Sequence, residues 1–211
     1  MLISRLIARR PLLGVALVAL IGCASSPENS PLESPHVVAE LEAEGAPEAK
    51  TQAMDPATEA RVGRVRGLLE QGMDVDKTDP DGRTSLMMAA FEGYTEVAEV
   101  LLDHGADVDR MDVSGRTALM YASSGPFPQT VKLLIENDAE VDRADSTEGW
   151  TALMFAAAEG HRLVVELLLR HGADIELTDQ DGDAAIDHAR ERGQTDIVAL
   201  LESWPGETQG P

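Results

Sequence analysis

The stretch Thr151–Asp179, TALMFAAAEGHRLVVELLLRHGADIELTD, decides the fold of this chain. Its apolar residues recur at helical spacing in two short runs, which predicts two short helices followed by a turn. Thr151 can cap the first helix with its hydroxyl group, and Gly160 can end it in the left-handed conformation. Ala156 and Ala157 give that helix an inner face that another helix can approach closely. Because the first helix is too short to be stable alone in water, the unit must stack on copies of itself.

Three copies of this unit lie elsewhere in the chain. They are TSLMMAAFEGYTEVAEVLLDHGADVDRMD at 84–112, TALMYASSGPFPQTVKLLIENDAEVDRAD at 117–145 and AAIDHARERGQTDIVALLE at 184–202. The equivalent residues Thr84, Thr117, Thr151 and Ala184 are 33, 34 and 33 residues apart. A constant period of this length, with a turn and two helices in each copy, indicates an array of stacked repeats.

The shared pattern, D-x-x-G-x-T-A-L-M-x-A-A-x-x-G-x-x-x-x-V-x-x-L-L-x-x-G-A-D-V-D, closely resembles the ankyrin-repeat family over roughly residues 54–204. The resemblance implies an all-α repeat fold, an ankyrin-repeat solenoid of about five stacked helix-turn-helix units with short β-hairpin or turn connections. The predicted repeats occupy residues 55–78, 79–111, 112–144, 145–178 and 179–204. In this family, contacts to partner proteins usually come from the hairpin tips and the exposed side of the first helices. The fold by itself specifies no chemical function.

The first and last repeats depart from the pattern, as terminal repeats with one unpartnered face should. Asp55 and Pro56 predict a helix start, and the lost inter-helix glycine predicts that the usual first helix is missing or absorbed into a longer one. In the last repeat, Asp187 and His188 replace a methionine and an aromatic residue, which predicts a polar end face. Trp204 is expected to cover the last apolar surface.

The charge of the chain restricts its partners. Thirty-eight acidic residues stand against 17 basic ones, a formal net charge of −21. This balance argues against nucleic acid or an anionic lipid surface as the main partner, and it favours either a basic partner or simple solubility. The low aromatic content, 3%, fits thin and closely stacked helices.

The N-terminal segment has the composition of a targeting signal. Three arginines precede the apolar run LLGVALVALI at 12–21, which is long enough for a signal peptide and too short for an ordinary membrane span. The run ends in Leu-Ile-Gly-Cys at 20–23, which resembles the lipobox of bacterial lipoproteins. An ordinary secretory signal and an uncleaved anchor are the alternatives.

The lipobox resemblance implies a signal peptide at 1–22, cleavage before Cys23, diacylglycerol on its thiol and acylation of the new amino group. Several acyl chains give firm membrane anchoring, and Ala24 implies the outer membrane, with the repeats facing the periplasm. Residues 23–54 are predicted to be the lipidated cysteine and a disordered acidic tether. The repeat domain is placed at 55–204, followed by a short C-terminal tail at 205–211.

The resemblance also suggests which residues contact a partner. Two of them are aromatic and out of pattern. Phe127 follows Pro126, which replaces the inter-helix glycine, and has no obvious core slot; it either shapes a contact loop or marks loop drift. Trp150 stands where the other repeats have Arg83, Arg116 and Asp183, and it is either a binding hot spot or a packing residue. The predicted partner-binding residues are Asp81, Arg83, Phe91, Ser114, Arg116, Phe127, Glu148, Trp150 and Asp181.

Two further sets of residues recur with the repeat. Met87, Met120 and Met154 form a column that is either core or contact surface. Two rows of acids lie near the hairpins; they could bind Ca²⁺, attract a basic partner or keep the protein soluble. The rows are Asp76, Asp109, Asp142 and Glu176, and Asp79, Asp112, Asp145 and Asp179. The stretch DQDGD at 179–183 does not match a calcium-binding EF-hand loop, so no metal site is assigned.

No recognisable catalytic motif occurs in the chain, and the equivalent residues His104 and His171 suit a helix C-terminus. We therefore expect no enzyme, no cofactor and a monomer. The predicted function is a membrane-anchored ankyrin-repeat module of the bacterial envelope that binds a partner protein through hairpin tips and the concave face. The alternatives are an immunity-type or enzyme-protecting periplasmic lipoprotein, a structural spacer, and an enzyme with an unrecognised site.

Overall fold

The computed structural model describes residues 54–205. The predicted signal peptide, Cys23, most of the tether and all but the first residue of the tail lie outside these residues. The described part holds nine α-helices, which are α1 (Pro56–Glu70), α2 (Ser85–Glu92), α3 (Thr95–Asp103), α4 (Ala118–Ser123), α5 (Pro128–Glu136), α6 (Ala152–Glu159), α7 (Arg162–Arg170), α8 (Ala185–Glu191) and α9 (Thr195–Ser203). None of these helices has the length and apolar character needed to cross a membrane.

The first repeat is a single long helix, as its sequence suggested. Asp55 caps α1, because its carboxylate accepts the N–H groups of Ala57 at 2.9 Å and Thr58 at 3.1 Å. Pro56 occupies the first helical position, where a missing N–H costs nothing. Helix α1 packs against α3 and starts the stack.

The other four repeats are helix pairs, and in three of them a threonine begins the first helix. The hydroxyls of Thr84, Thr117 and Thr151 each accept the N–H of the methionine three residues on, at 3.3 to 3.5 Å. In two repeats the methionine sulfur in turn accepts the threonine N–H at 3.4 Å. The methionine column is fully buried. These methionines therefore belong to the core and not to a contact surface.

The pairs stack so that first helices contact first helices and second helices contact second helices. Helices α2, α4, α6 and α8 form one layer, and α3, α5, α7 and α9 form the other. Small side chains on the first helices permit this close approach, since Ala90, Ala122 and Ala156 are completely buried. The result is an all-α solenoid in which each unit contacts its neighbours, as predicted.

Tight turns connect one pair to the next. Within the described residues, β-type pairing is limited to two isolated antiparallel bridges, Ala144 to Thr151 and Thr178 to Ala184. Each turn is closed by the aspartate of the second acidic row. Asp79, for example, accepts the N–H groups of Asp81 and Arg83, both at 2.9 Å. The second acidic row therefore builds the turns.

The first acidic row joins neighbouring repeats. A carboxylate oxygen of Asp76 accepts the N–H of Asp107 at 3.1 Å, and Asp109 accepts that of Glu140 at 3.0 Å. Asp142 makes the same bond to the next repeat. Backbone amides that would otherwise need water are satisfied in this way. These aspartates thus have structural partners that the sequence did not reveal.

The third repeat holds Phe127 in a slot that the sequence did not predict. Its ring is half-buried and lies between Gly93 and Gly125, where a Cβ atom on either glycine would come within 2.7 Å of ring carbons. The expectation that Phe127 lacks a packing site was therefore wrong. Pro126 precedes α5 and Pro128 is its first residue, so neither proline interrupts the helix.

The last repeat is only partly the polar cap that was expected. The carboxylate of Asp187 accepts the Ala184 N–H at 3.1 Å, as the methionine sulfur accepts the threonine N–H in two other repeats. His188, however, is only 7% exposed. Its Nε2 lies 3.0 Å from a carboxylate oxygen of Asp179, so it belongs to the interior and not to a polar end face. Trp204 packs on the core as predicted.

Candidate functional site

One face of the molecule carries a row of aromatic side chains. The fourth residue after the capping position of each first helix belongs to this row. Because the first helices stack side by side, these four residues lie next to each other, and all but Met88 are aromatic rings. They are Met88, Tyr121, Phe155 and His188. Two further rings extend the row, Phe91 and Trp150. We call Phe91, Tyr121, Phe155, Trp150 and His188 the aromatic strip.

The rings of the strip contact each other within one repeat and across two repeat boundaries. Phe91 meets Tyr121 edge-to-face with centroids 6.1 Å apart. Trp150 lies 5.1 Å from Phe155 and 4.2 Å from His188, centroid to centroid. Such pairs hold the rings in fixed positions. Trp150 is half-buried and packs against two other rings, so it is at least in part a packing residue, and the rest of its side chain is exposed at the surface.

Arginines of the hairpins lie beside the strip. The Nε of Arg83 donates to Asp79 at 2.8 Å, and its guanidinium also pairs with Asp81 at 3.0 Å. The Nε of Arg116 lies 3.4 Å from an oxygen of Asp145, and its guanidinium sits 5.1 Å from the centre of the Phe155 ring. At the Arg116 turn, a cation, a carboxylate and an aromatic face thus lie together.

Burial and hydrogen bonding tune two groups near the strip. Burial raises the pKa of Asp145, but N–H groups of Glu148 and Gly149, together with Arg116, outweigh it and hold the pKa below its ordinary value. Burial and then the hydrogen bond to Asp112, at 2.7 Å, raise the pKa of Tyr121 to about 12. At neutral pH the aspartate is charged and the tyrosine keeps its proton.

The predicted partner-binding residues fall into three places. Asp81, Glu148 and Asp181 are exposed at hairpin tips, and Ser114 is half-buried at one. Phe91, Arg83, Arg116 and Trp150 lie in or beside the aromatic strip. Phe127 is not brought together with them, because it packs in the loop between α4 and α5.

Sequence reasoning missed three members of the strip, Tyr121, Phe155 and His188. The signal was present, because these residues recur with the same spacing of 33 or 34 as the capping positions. Each looks like an isolated substitution until the first helices are set side by side. Only the alignment of repeats in space turns them into one surface.

We number each hairpin by the repeat that it begins, so the fourth hairpin is residues 145–150 and the fifth is residues 179–183. A groove lies between these two hairpins, where the strip ends. It has a volume of about 380 Å³ and one wall formed by Trp150 and His188. The rest of its lining is mainly acidic, with Glu148, Asp179, Asp181, Asp183 and Glu191. Within residues 54–205, no group of three or more histidine, cysteine or carboxylate side chains is placed to hold a metal ion.

Comparison with known families agrees with this architecture. The family model described as "Ankyrin repeats (3 copies)" matches residues 57–145 and 125–206, well over half of the chain. No curated protein matches the sequence. Ankyrin repeats are in general protein–protein interaction modules, and proteins built from them are typically binding modules without enzymatic activity. The chain belongs to the ankyrin-repeat family.

Proposed function

We propose that this protein is a membrane-anchored adaptor of the bacterial envelope. A lipid on Cys23 anchors it in the outer membrane, and the repeats face the periplasm, where they bind a partner protein. The lipobox-like residues 20–23 support the anchor, and the aromatic strip supports the binding role. Binding occurs by surface complementarity through hairpin tips and the concave face, with no bond made or broken.

The observation that carries the binding role is the concentration of aromatic residues on one face. The chain has three phenylalanines, two tyrosines and two tryptophans, and four of these seven belong to the strip. Phe91 remains 50% exposed. Tyrosine, tryptophan and arginine are the residue types that most often dominate binding energy at protein interfaces. Solubility alone does not require aromatic residues to be concentrated on one face.

An immunity-type or enzyme-protecting lipoprotein is the alternative. It would use the same face to cover one toxin or one periplasmic enzyme. The net charge of −21 fits a basic partner in both cases. The two proposals differ in the number of partners, because the alternative requires a single dedicated and tightly bound protein.

In-cell photo-crosslinking tests the binding role. A photoreactive residue replaces Phe91 on the strip or Glu148 at a hairpin tip, and a matched control replaces Leu163, which is 40% exposed on α7 in the other layer. We expect one or a few envelope proteins to crosslink from positions 91 and 148 and not from 163. Equal crosslinking from all three positions, or none, would refute binding through this face.

A separate experiment tests the anchor. Cys23→Ser removes the thiol that the lipid requires. The wild-type protein should fractionate with the outer membrane and carry the added mass of acyl chains, and the variant should lose that mass. A wild-type protein of unmodified mass would contradict lipidation, whatever the crosslinking result.

A further inference from the structure

The hairpins differ in how they neutralise their aspartates. At one position of the turn, the second and third hairpins carry Arg83 and Arg116, and both guanidinium groups pair with turn aspartates. The fourth hairpin has Trp150 at this position, and the fifth has Asp183. The arginine column therefore stops halfway along the stack.

The groove between the fourth and fifth hairpins consequently has excess negative charge. Five carboxylates line it, and its one arginine, Arg192, pairs with Glu159 at 3.3 Å. The Asp179 carboxylate is occupied by His188 and by turn N–H groups. The other four form no ion pair with any residue of the 54–205 segment, and they are Glu148, Asp181, Asp183 and Glu191.

A neighbouring junction of the same molecule shows which group satisfies such an arrangement. Between the third and fourth repeats, the Arg116 guanidinium lies against both the Phe155 ring and the Asp145 carboxylate. One repeat further on, the equivalent ring is His188, and the Trp150 indole takes the place of the arginine against it, with ring centroids 4.2 Å apart. The indole therefore stands beside carboxylates that have lost their arginine, and Asp181 and Asp183 form no ion pair within residues 54–205.

We propose that the groove between the fourth and fifth hairpins binds an arginine side chain from a basic segment of the partner protein. The guanidinium lies against the Trp150 wall and pairs with the free carboxylates of Asp181 and Asp183. The groove's volume of about 380 Å³ lies at the lower end of ordinary ligand sites, and it suits one long side chain and part of its backbone.

Arginine fits this groove better than lysine does. The guanidinium is planar, stacks on aromatic faces and donates to two carboxylate oxygens at once, whereas the ammonium group of lysine is a compact and strongly hydrated charge. This inference rests on the proposed function, since it specifies the chemistry of the partner that the same face would bind.

The indole in the groove wall provides a local probe. In full-length protein carrying Trp204→Phe, kept in an uncharged detergent, Trp150 is the only tryptophan. We would titrate it with the acetylated, amidated peptide Gly-Arg-Gly-Arg-Gly and with its lysine and glutamate counterparts. The arginine peptide should change the Trp150 fluorescence saturably and at lower concentration than the lysine peptide. Equal binding of the two cationic peptides, or an unchanged emission, would overturn the assignment.

Charge-matched variants separate the groove from the general acidity of the protein. The double variant Asp181→Asn and Asp183→Asn removes two groove carboxylates and keeps the side-chain shape, so we expect affinity to fall about tenfold or more. The control, Glu96→Gln and Glu99→Gln, removes two exposed charges from α3 and should change affinity by less than about twofold. Equal losses in the two variants would show nonspecific attraction and refute the groove.

The crosslinking experiment keeps this inference distinct from the proposed function. One outcome is that a partner crosslinks from position 91 while the groove variants bind the arginine peptide normally. It would refute the arginine site in the groove and leave the proposed adaptor function standing. Peptide binding that depends on Asp181 and Asp183, with no crosslinked protein in cells, would leave the groove chemistry standing and refute the adaptor.

Discussion

Replacing Gly93 by alanine tests how Phe127 locks the third repeat onto the second. Gly93 ends α2 with φ +69°, and a Cβ atom there would lie 2.7 Å from Cγ of Phe127, with other ring atoms still closer. Two costs therefore add. The left-handed conformation costs an alanine about 1 kcal/mol, and the overlap with a packed ring costs about 1–3 kcal/mol. We expect the free energy of unfolding to fall by roughly 2–4 kcal/mol in total.

Gly105 supplies the matched control. It ends the next helix with φ +83°, and no atom lies within 4 Å of its notional Cβ. Gly105→Ala should therefore lower the free energy of unfolding only by the conformational cost of about 1 kcal/mol. Adding Phe127→Ala to each variant completes the comparison. The ring deletion removes the overlap at Gly93, so the double variant should be less destabilised than the sum of its single changes, by about 1–3 kcal/mol.

Urea unfolding followed by far-UV circular dichroism measures all six proteins. Similar denaturant slopes across the set are required, because stacked repeats can unfold in parts. If Gly93→Ala and Gly105→Ala lose the same stability, or if Gly93→Ala and Phe127→Ala are simply additive, the ring does not occupy the slot between the glycines. The packing argument for Phe127 would then be wrong.

Two other expectations follow from particular residues. Gly63 and Gly67 lie inside α1 with open space around each notional Cβ, so alanine at either site should stabilise by about 0.5–1 kcal/mol and raise the urea midpoint; an unchanged or lower midpoint would contradict the helix there. In Tyr94→Phe protein, absorbance titration of the remaining tyrosine, Tyr121, should give a midpoint of about 12. Its folded pKa exceeds the unfolded value of about 10, so the stability it contributes is complete below pH 10 and is lost as the pH rises through 12. A midpoint at 10 in the folded protein would show that Tyr121 is neither buried nor bonded to Asp112.

The sequence was sufficient for features that depend on neighbours in the chain. The threonine caps at 84, 117 and 151, the long first helix after Asp55 and the short helix pairs all follow from local hydrogen bonding and helical spacing. The repeat period then implied the stacking, since a short helix pair cannot bury its apolar face alone. The all-α solenoid was predictable for this reason.

The candidate site was predictable only in part. Phe91, Arg83, Arg116 and Trp150 were identified from their places in the repeat, whereas Tyr121, Phe155 and His188 were not. Their common spacing of 33 or 34 residues was present in the sequence, but it forms a surface only when the first helices lie side by side. Stacking brings Phe91 against Tyr121 and Trp150 against His188, and Trp150 also contacts Phe155.

What the sequence determined by itself is therefore the repeating unit, and what the tertiary structure decided is the partner of each polar or aromatic side chain. The slot for Phe127 exists because two glycines from different repeats meet. His188 is buried because Asp179 and Trp150 converge on it from the preceding turns. The first acidic row looks like surface charge in the sequence, yet Asp76, Asp109 and Asp142 accept backbone N–H groups of the next repeat, which only stacking brings within reach. Contacts between repeats depend on the distance between helices, and a periodic sequence fixes the register of those helices but not the neighbours that fill the space between them.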